Sequence, residues 1–506
     1  MRKLAVRGAG ATLISSTSSL VIQLVGTVVL ARILAPADFG LVAMVTTFSL
    51  LLANVGLNGF TEAILQCEHI DRFLASNLFW INTSIGLFLS ITFALAGPIM
   101  AYFFRNALVV PVAIGVAPTI FLTSLSVLHV ALLKRAMRFS LTSLNDIVSG
   151  AVAMLVAIIV GHAGWGYWAL VAGAITSPLI QTIGAWLLCR WLPSFPRRAP
   201  GTANLIRFAV NVYGRFTTNY AARNIDNLLV GWRFNAQALG FYKKAYDLFA
   251  LSAGQFVAPL ANVAVSALSK VKRDRLEFQR LFLRAVAILS FVGMGLGAIL
   301  TLIGKDVIRV LLGSRWDTAG SIFTFFGPGI GIMFLYYASG WVHLSIGRAD
   351  RWFRWTLVEF VFTSLSFVVG LAWGPAGVAM AWTVSFWVLT IPAFAYAGKP
   401  IDLRVQAIVG VAWKYAAAAF TAGISSYLIF SRLFPSNSNG LISALARIVA
   451  VATSFSVIYI VMVVAFHRGF GPLVWSRNLL GDLLFERRPS RDFVSPPDTA
   501  VSDHGL

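Results

Sequence analysis

Residues 207–247 read RFAVNVYGRFTTNYAARNIDNLLVGWRFNAQALGFYKKAYD, and this stretch decides the fold. The sequence around it is apolar enough for a lipid bilayer, yet it carries Arg215, Arg223, Asp226, Lys243, Lys244 and Asp247. At 100° per residue, Asn211, Arg215, Thr218, Asn219, Ala222 and Asp226 share one helical face, with Arg207 and Arg223 at its edges. One charged side chain at the centre of a spanning helix costs roughly 3 kcal/mol, so several together cannot face lipid. They must line a shared interior or lie near an interface. The pattern implies a water-filled, cationic cavity walled in part by this segment.

Outward from it, apolar runs of about twenty residues recur from end to end. The 506 residues are 58% hydrophobic and 12% charged, with mean hydropathy +0.80. That composition excludes a soluble domain and marks an all-α polytopic membrane protein. The apolar run that follows Arg2, Lys3 and Arg7 is too long for a signal-peptide core, so a retained first helix is expected. Spans are expected at 8–31, 39–60, 77–101, 108–133, 141–161, 165–189, 205–230, 238–266, 279–303, 319–345, 355–373, 376–397, 406–430 and 441–466. They make about fourteen transmembrane helices.

The net charge of +21 does not point to nucleic acid, because the basic residues alternate between loops. Of forty lysines and arginines, twenty-four fall on one side of the expected spans and six on the other. By the positive-inside rule, both termini are cytoplasmic. Cys67 and Cys189 lie in separate segments and suggest neither a disulfide framework nor a metal site. No HExxH, Walker loop, CxxC pair or nucleophile elbow occurs, and every outward loop is short, which argues against an enzyme. Gly293–Gly297 (GMGLG) sits inside an apolar helix and reads as close helix packing. His129 and His343 read as packed or interfacial residues, and Asn82-Thr83-Ser84 lies within a span.

An internal repeat organises the chain. VLARILAPADFGLVAM (Val29–Met44) aligns with LVGWRFNAQALGFYKKA (Leu229–Ala245) at an offset of 200, which sets Gly40 on Gly240. GWGYWALVAG (Gly164–Gly173) echoes GPAGVAMAW (Gly374–Trp382). Two parallel six-helix lobes, 1–195 and 203–400, are expected, followed by two extra helices over 401–468 and a cytoplasmic tail, 469–506, of disordered composition.

Within the spans the candidate ligand-binding residues are Arg215, Arg223, Asn211, Asn219, Lys243 and Lys244. The alternative for Arg223 is an ion pair with Asp226 at i, i+3. Arg309 and Lys414 either snorkel or face the cavity, and Glu62 reads as interfacial. Asp226, Glu359 and Asp146 could exchange a coupling ion, Na+ or H+, and no other cofactor is expected. A cavity lined mainly by Arg and Lys attracts anions, and guanidinium grips phosphate bidentately, so an anionic headgroup such as a pyrophosphate fits it.

VLARILAPADFGLVAMV followed by GLNGFTEAILQCEHIDRFLASNLFWINTSIGL resembles the polysaccharide-transporter branch of the multidrug/oligosaccharidyl-lipid/polysaccharide (MOP) flippases, and within it the Wzx-type, colanic-acid-exporter group. ALLKRAMRFSLTSL, DNLLVGWRFNAQALGFYKKAYDL and VLLGSRWDTAGSI agree in order, and the likeness covers roughly residues 5–465. The resemblance implies a V-shaped transporter of two six-helix bundles in the bacterial inner membrane. It implies movement of undecaprenyl-pyrophosphate-linked oligosaccharide repeat units for surface polysaccharide, by rocking between inward- and outward-facing states. Helices thirteen and fourteen would form a groove for the lipid tail, and a polysaccharide polymerase and export machinery would be partners. A drug/cation antiporter of the same superfamily is the alternative. It needs buried carboxylates, and this chain offers more buried Arg and Lys.

Overall fold

The computed structural model describes residues 2–67, 70–197, 202–433, 440–469 and 471, and the expected disordered tail lies almost wholly outside them. Every regular element among them is helical. The first half of the chain supplies α1 (Arg2–Ile33), α2 (Pro36–Asn54), α3 (Thr61–Gln66), α4 (Arg72–Leu95) and α5 (Gly97–Phe104). It continues through α6 (Val109–Val116), α7 (Pro118–Arg135), α8 (Phe139–His162) and α9 (Trp168–Cys189). The second half supplies α10 (Thr202–Arg233), α11 (Ala236–Lys270), α12 (Arg275–Leu312), α13 (Asp317–Ser345), α14 (Ala349–Gly370) and α15 (Gly374–Gly398). Two further helices, α16 (Val405–Leu433) and α17 (Leu441–His467), complete the set.

Helix starts follow the capping residues. Asp71 accepts from Leu74 N–H at 2.7 Å, Asn235 from Ala238 N–H at 2.8 Å, and Asp274 from Glu277 N–H at 3.0 Å. Pro36 and Pro118 sit in first turns, where a missing N–H costs no helical bond. Three expected spans are broken. The 39–60 span gives way to a π-turn over Val55–Phe60; the 77–101 span kinks at Ala96, before Pro98; and the 108–133 span kinks at Ala117, before Pro118.

Ten stretches among the described residues are long and apolar enough to cross a membrane, and one of them, Ala349–Ile401, contains both α14 and α15. The charged helices α10 and α11 are not among these ten stretches.

In the first half α1 packs on α8, α8 on α9, α9 on α7, and α7 on α4. In the second half α13 is central, packed against α11, α12 and α15, while α16 and α17 pack on each other and on α12. The halves meet mainly where α2 lies against α11 and where α10 runs along α2 and its π-turn. The repeat-related glycines make the first contact. A Cβ on Gly40 would stand 1.6 Å from Ala236 O, and one on Gly240 would stand 1.9 Å from Pro36 O. The contact is reciprocal, since 36 and 40 touch 236 and 240. Along the second contact Tyr213 and Tyr220 donate hydroxyl hydrogens to Leu51 O at 3.1 Å and Thr47 O at 2.9 Å.

The connector between the halves is tied to the first. Ser194 N–H donates to Ser76 Oγ (2.9 Å), Trp80 Nε1–H to Ser194 O (3.0 Å), and Asn77 exchanges two bonds with the Arg197 peptide. Beneath it His129, fully buried, stacks on Trp186 at 4.4 Å and bonds Trp191 O through Nε2.

Candidate functional site

Among the described side chains of the 207–247 stretch, Arg223 and Asp226 line one cavity and Lys243, Lys244 and Asp247 line another. The side chains of Asn211, Arg215 and Asn219 lie outside the described set. The first cavity, about 50 Å³, lies inside the second half and is lined by Arg223, Asp226, Tyr246, Tyr337, Glu359 and Trp382, among others. Arg223 and Asp226 do not form the ion pair that their spacing allows. Arg223 instead lines the cavity with Tyr337 of α13 and Glu359 of α14. Its surface is open to the cavity although protein surrounds it on most sides.

Asp226 is 2% exposed and has both oxygens occupied, one by Tyr242 OH at 2.7 Å and the other by Asn227 N–H at 2.8 Å. Glu359 accepts from Tyr336 OH at 2.8 Å, and Trp355 Nε1–H donates to the same hydroxyl at 2.8 Å. A buried carboxylate is tolerable only with such donors, because the low-dielectric interior penalises an unpaired charge. Thus Arg223, Asp226 and Glu359 share a polar core whose tyrosine and tryptophan donors come from α11, α13 and α14.

The second cavity, about 260 Å³, lies in the seam between the halves. Thr27 and Leu30 of α1, Phe39, Val42, Ala43 and Thr46 of α2, and Lys243, Lys244 and Asp247 of α11 line it, with Met154 and Leu170 from α8 and α9. Lys243 is ion-paired with Asp247, and Lys244 stands 4.0 Å from the same carboxylate. Lys244 Nζ also sits 4.4 Å above the Phe39 ring, a cation–π contact across the seam. Two lysines against one aspartate leave this cavity net positive and shared between the halves.

Asp146 joins neither cavity: it accepts from Gln181 Nε2 at 2.9 Å in the first half. Arg309 is bound by both oxygens of Asp317 at 2.9 and 2.5 Å, so it is no cavity cation. Sequence reasoning missed Tyr242, Tyr336, Tyr337 and Asp247 as partners. Tyr336 and Glu359 are 23 residues apart on different helices, a separation that periodicity does not register.

The fold is similar to that of solved transporters, among them members of the MOP superfamily. The fold superposes on the lipid II flippase MurJ in its inward closed conformation with a TM-score of 0.70 at 15% identity, over 90% of this chain and 98% of that one. It superposes on an inward-facing multidrug resistance MATE family transporter with a TM-score of 0.61 at 14% identity, over 76% of this chain and 94% of that one. The family model described as "polysaccharide biosynthesis protein" matches residues 29–321, and the chain belongs to that family. The succinoglycan biosynthesis transport protein ExoT of Rhizobium meliloti (strain 1021) is 22% identical over 409 residues, 78% of this chain and 80% of its own. The chain is therefore a multi-pass membrane protein of the polysaccharide biosynthesis protein family.

Proposed function

We propose that the chain carries undecaprenyl-pyrophosphate-linked oligosaccharide repeat units across the bacterial inner membrane by alternating access, without forming or breaking bonds. The observation that carries this reading is the seam cavity, because Lys243 and Lys244 of α11 there face α1 and α2 of the other half. A net positive site shared by two moving bodies holds an anionic headgroup while its walls exchange sides. Arg215, Asn211 and Asn219 of α10 are further proposed cargo-binding residues, as is Arg223 in the second-half cavity.

On this reading fourteen helices cross the bilayer, in lobes 1–195 and 203–400 with two further crossings over 401–468, and both termini are cytoplasmic. The lipid tail stays in the bilayer. An apolar crevice of about 710 Å³ suits it, floored by Gly297, Gly331 and Gly423 and walled by Trp387, Phe420 and Tyr427. It opens between α16 and the α12–α13–α15 group, and α17 adds no lining residue. Asp226, Glu359 and, in the first half, Asp146 are the proposed coupling carboxylates, for H+ or Na+. The polymerase and export machinery of a surface polysaccharide would take up the product.

Reconstitution tests the reading. Labelled undecaprenyl-pyrophosphate oligosaccharide starts on one leaflet of a proteoliposome, and an enzyme confined to the other leaflet reports its arrival. Movement with the parent protein, and its loss in Arg215→Ala that still inserts, is the expected result. Normal movement by Arg215→Ala removes that residue's role, and no movement under a pH or sodium gradient removes the cargo class. The second reading, drug/cation antiport, draws on the two carboxylates of the second-half cavity. A drug-resistance phenotype independent of polysaccharide would favour it.

A further inference from the structure

At the end of the molecule opposite the basic loops, each half caps a helix of the other. Helices α1 and α12 both end there, and terminal carbonyls lack an intrahelical donor. Ala31 O would ordinarily take the N–H of Ala35, but that N–H is given to Asp38 Oδ2 at 2.9 Å. The indole N–H of Trp316, at the start of α13, takes its place at 2.8 Å. In return Arg32 donates Nη2–H to Val310 O at 2.7 Å and Nε–H to Leu311 O at 3.3 Å, in the last turn of α12. A cation at a helix C-terminus also suits its dipole.

Trp316 is fully buried, edge-on to Phe39 of α2 at 5.3 Å and to Phe241 of α11 at 6.0 Å. Next to Phe39, Gly40 and Gly240 bring the two backbones into the contact described above. Phe39 has a second neighbour, since Lys244 Nζ rests on its ring and both line the seam cavity.

We propose that Trp316 and Arg32 form a clasp that holds the outward face shut, and that Phe39 couples the clasp to cargo. The inference rests on the alternating-access reading. A phosphate in the seam cavity competes with the Phe39 ring for Lys244. Withdrawal of the cation removes one support of the ring against which Trp316 packs, so bound anion favours the open clasp. A ligand shifts a two-state equilibrium only through such a difference in contacts. Trp316 carries more of the closure than Arg32, because its bond is buried whereas water can replace those of the exposed Arg32.

The test uses a full-length chain with Cys67 and Cys189 replaced by Ser and a reporter, Thr46→Cys, which lines the cavity behind the seal. A membrane-impermeant maleimide is applied from outside, with and without farnesyl pyrophosphate loaded inside. The parent labels slowly and the pyrophosphate accelerates it. Trp316→Phe, which keeps an aromatic ring and loses the donor, raises basal labelling roughly tenfold, and Arg32→Gln raises it less. Phe39→Leu removes the acceleration by pyrophosphate. Basal labelling unchanged in Trp316→Phe, in protein that elutes as folded, overturns the clasp. Acceleration that survives in Phe39→Leu overturns the coupling. The failures separate: a parent that moves no lipid-linked oligosaccharide, while Trp316→Phe still raises labelling, discards the cargo reading and leaves the clasp standing.

Discussion

Asp226 is held by Tyr242, sixteen residues on, and by the next peptide N–H of its own helix. Removing a donor from a buried carboxylate leaves the charge under-satisfied, whereas changing the carboxylate to an amide keeps one acceptor and removes the charge. Tyr242→Phe should therefore cost about 1–3 kcal/mol, and Asp226→Asn less. Thermal denaturation in detergent, followed by size-exclusion chromatography, ranks the two. A greater loss in Asp226→Asn would mean that the carboxylate is bound by something other than Tyr242. The sequence offered Arg223 and Asp226 as partners because they lie one turn apart, and it had no means of seeing the tyrosines. Arg223 shares its cavity with α13 and α14 because Tyr337 and Glu359 are brought there by packing, which no local rule encodes. Lys243 and Lys244 were legible as intramembrane cations, but their division from Arg223 into a separate cavity was not.

At the scale of elements, the long helices follow the apolar runs closely, because twenty apolar residues in lipid leave the backbone no alternative to internal hydrogen bonding. The breaks were less legible. The π-turn over Val55–Phe60 coincides with a tertiary contact, since a Cβ on Gly59 would approach Ala209 O to 2.8 Å, and that neighbour is 150 residues away in sequence. The connector shows the same limit. Its basic residues entered the sequence reading only as loop charge, yet Asn77 pairs with the Arg197 peptide as a strand would, while Ser76 and Trp80 hold Ser194. Asn77→Ala should release it. Loss of two hydrogen bonds of about 1 kcal/mol each raises the open population by more than tenfold. Trypsin added to inside-out vesicles should then cut near Arg197 correspondingly faster, with the helices intact. Cleavage at the parent rate would show that Ser76 and Trp80 suffice.

At the scale of the whole molecule, the 200-residue offset read in the sequence meets a contact at the seam. Residues 36 and 40 touch 236 and 240 reciprocally, as a two-fold contact between repeats requires, and glycine is needed at both centres because any side chain would meet backbone oxygen. The second seam departs from that symmetry. Helix α10 is bonded along α2 through Tyr213 and Tyr220, whereas the repeat-related position between α1 and α11 is occupied by the lysine-lined cavity. If the halves rock, the α2–α10 contact must part once in each cycle. Gly59 and Ala209 allow this to be tested, since a Cβ on Gly59 would lie 3.3 Å from that of Ala209. Disulfides span Cβ atoms about 3.8 Å apart, so a Gly59→Cys/Ala209→Cys pair needs the seam to give by only a few tenths of an ångström. In a chain with Cys67 and Cys189 replaced by Ser, oxidation should crosslink the pair and halt transport in proteoliposomes, and reductant should restore it. The single variants, treated identically, should keep their own rates. Full crosslinking with undiminished transport would show that α2 and α10 move as one body, and the two halves would then have to be redrawn along a different seam.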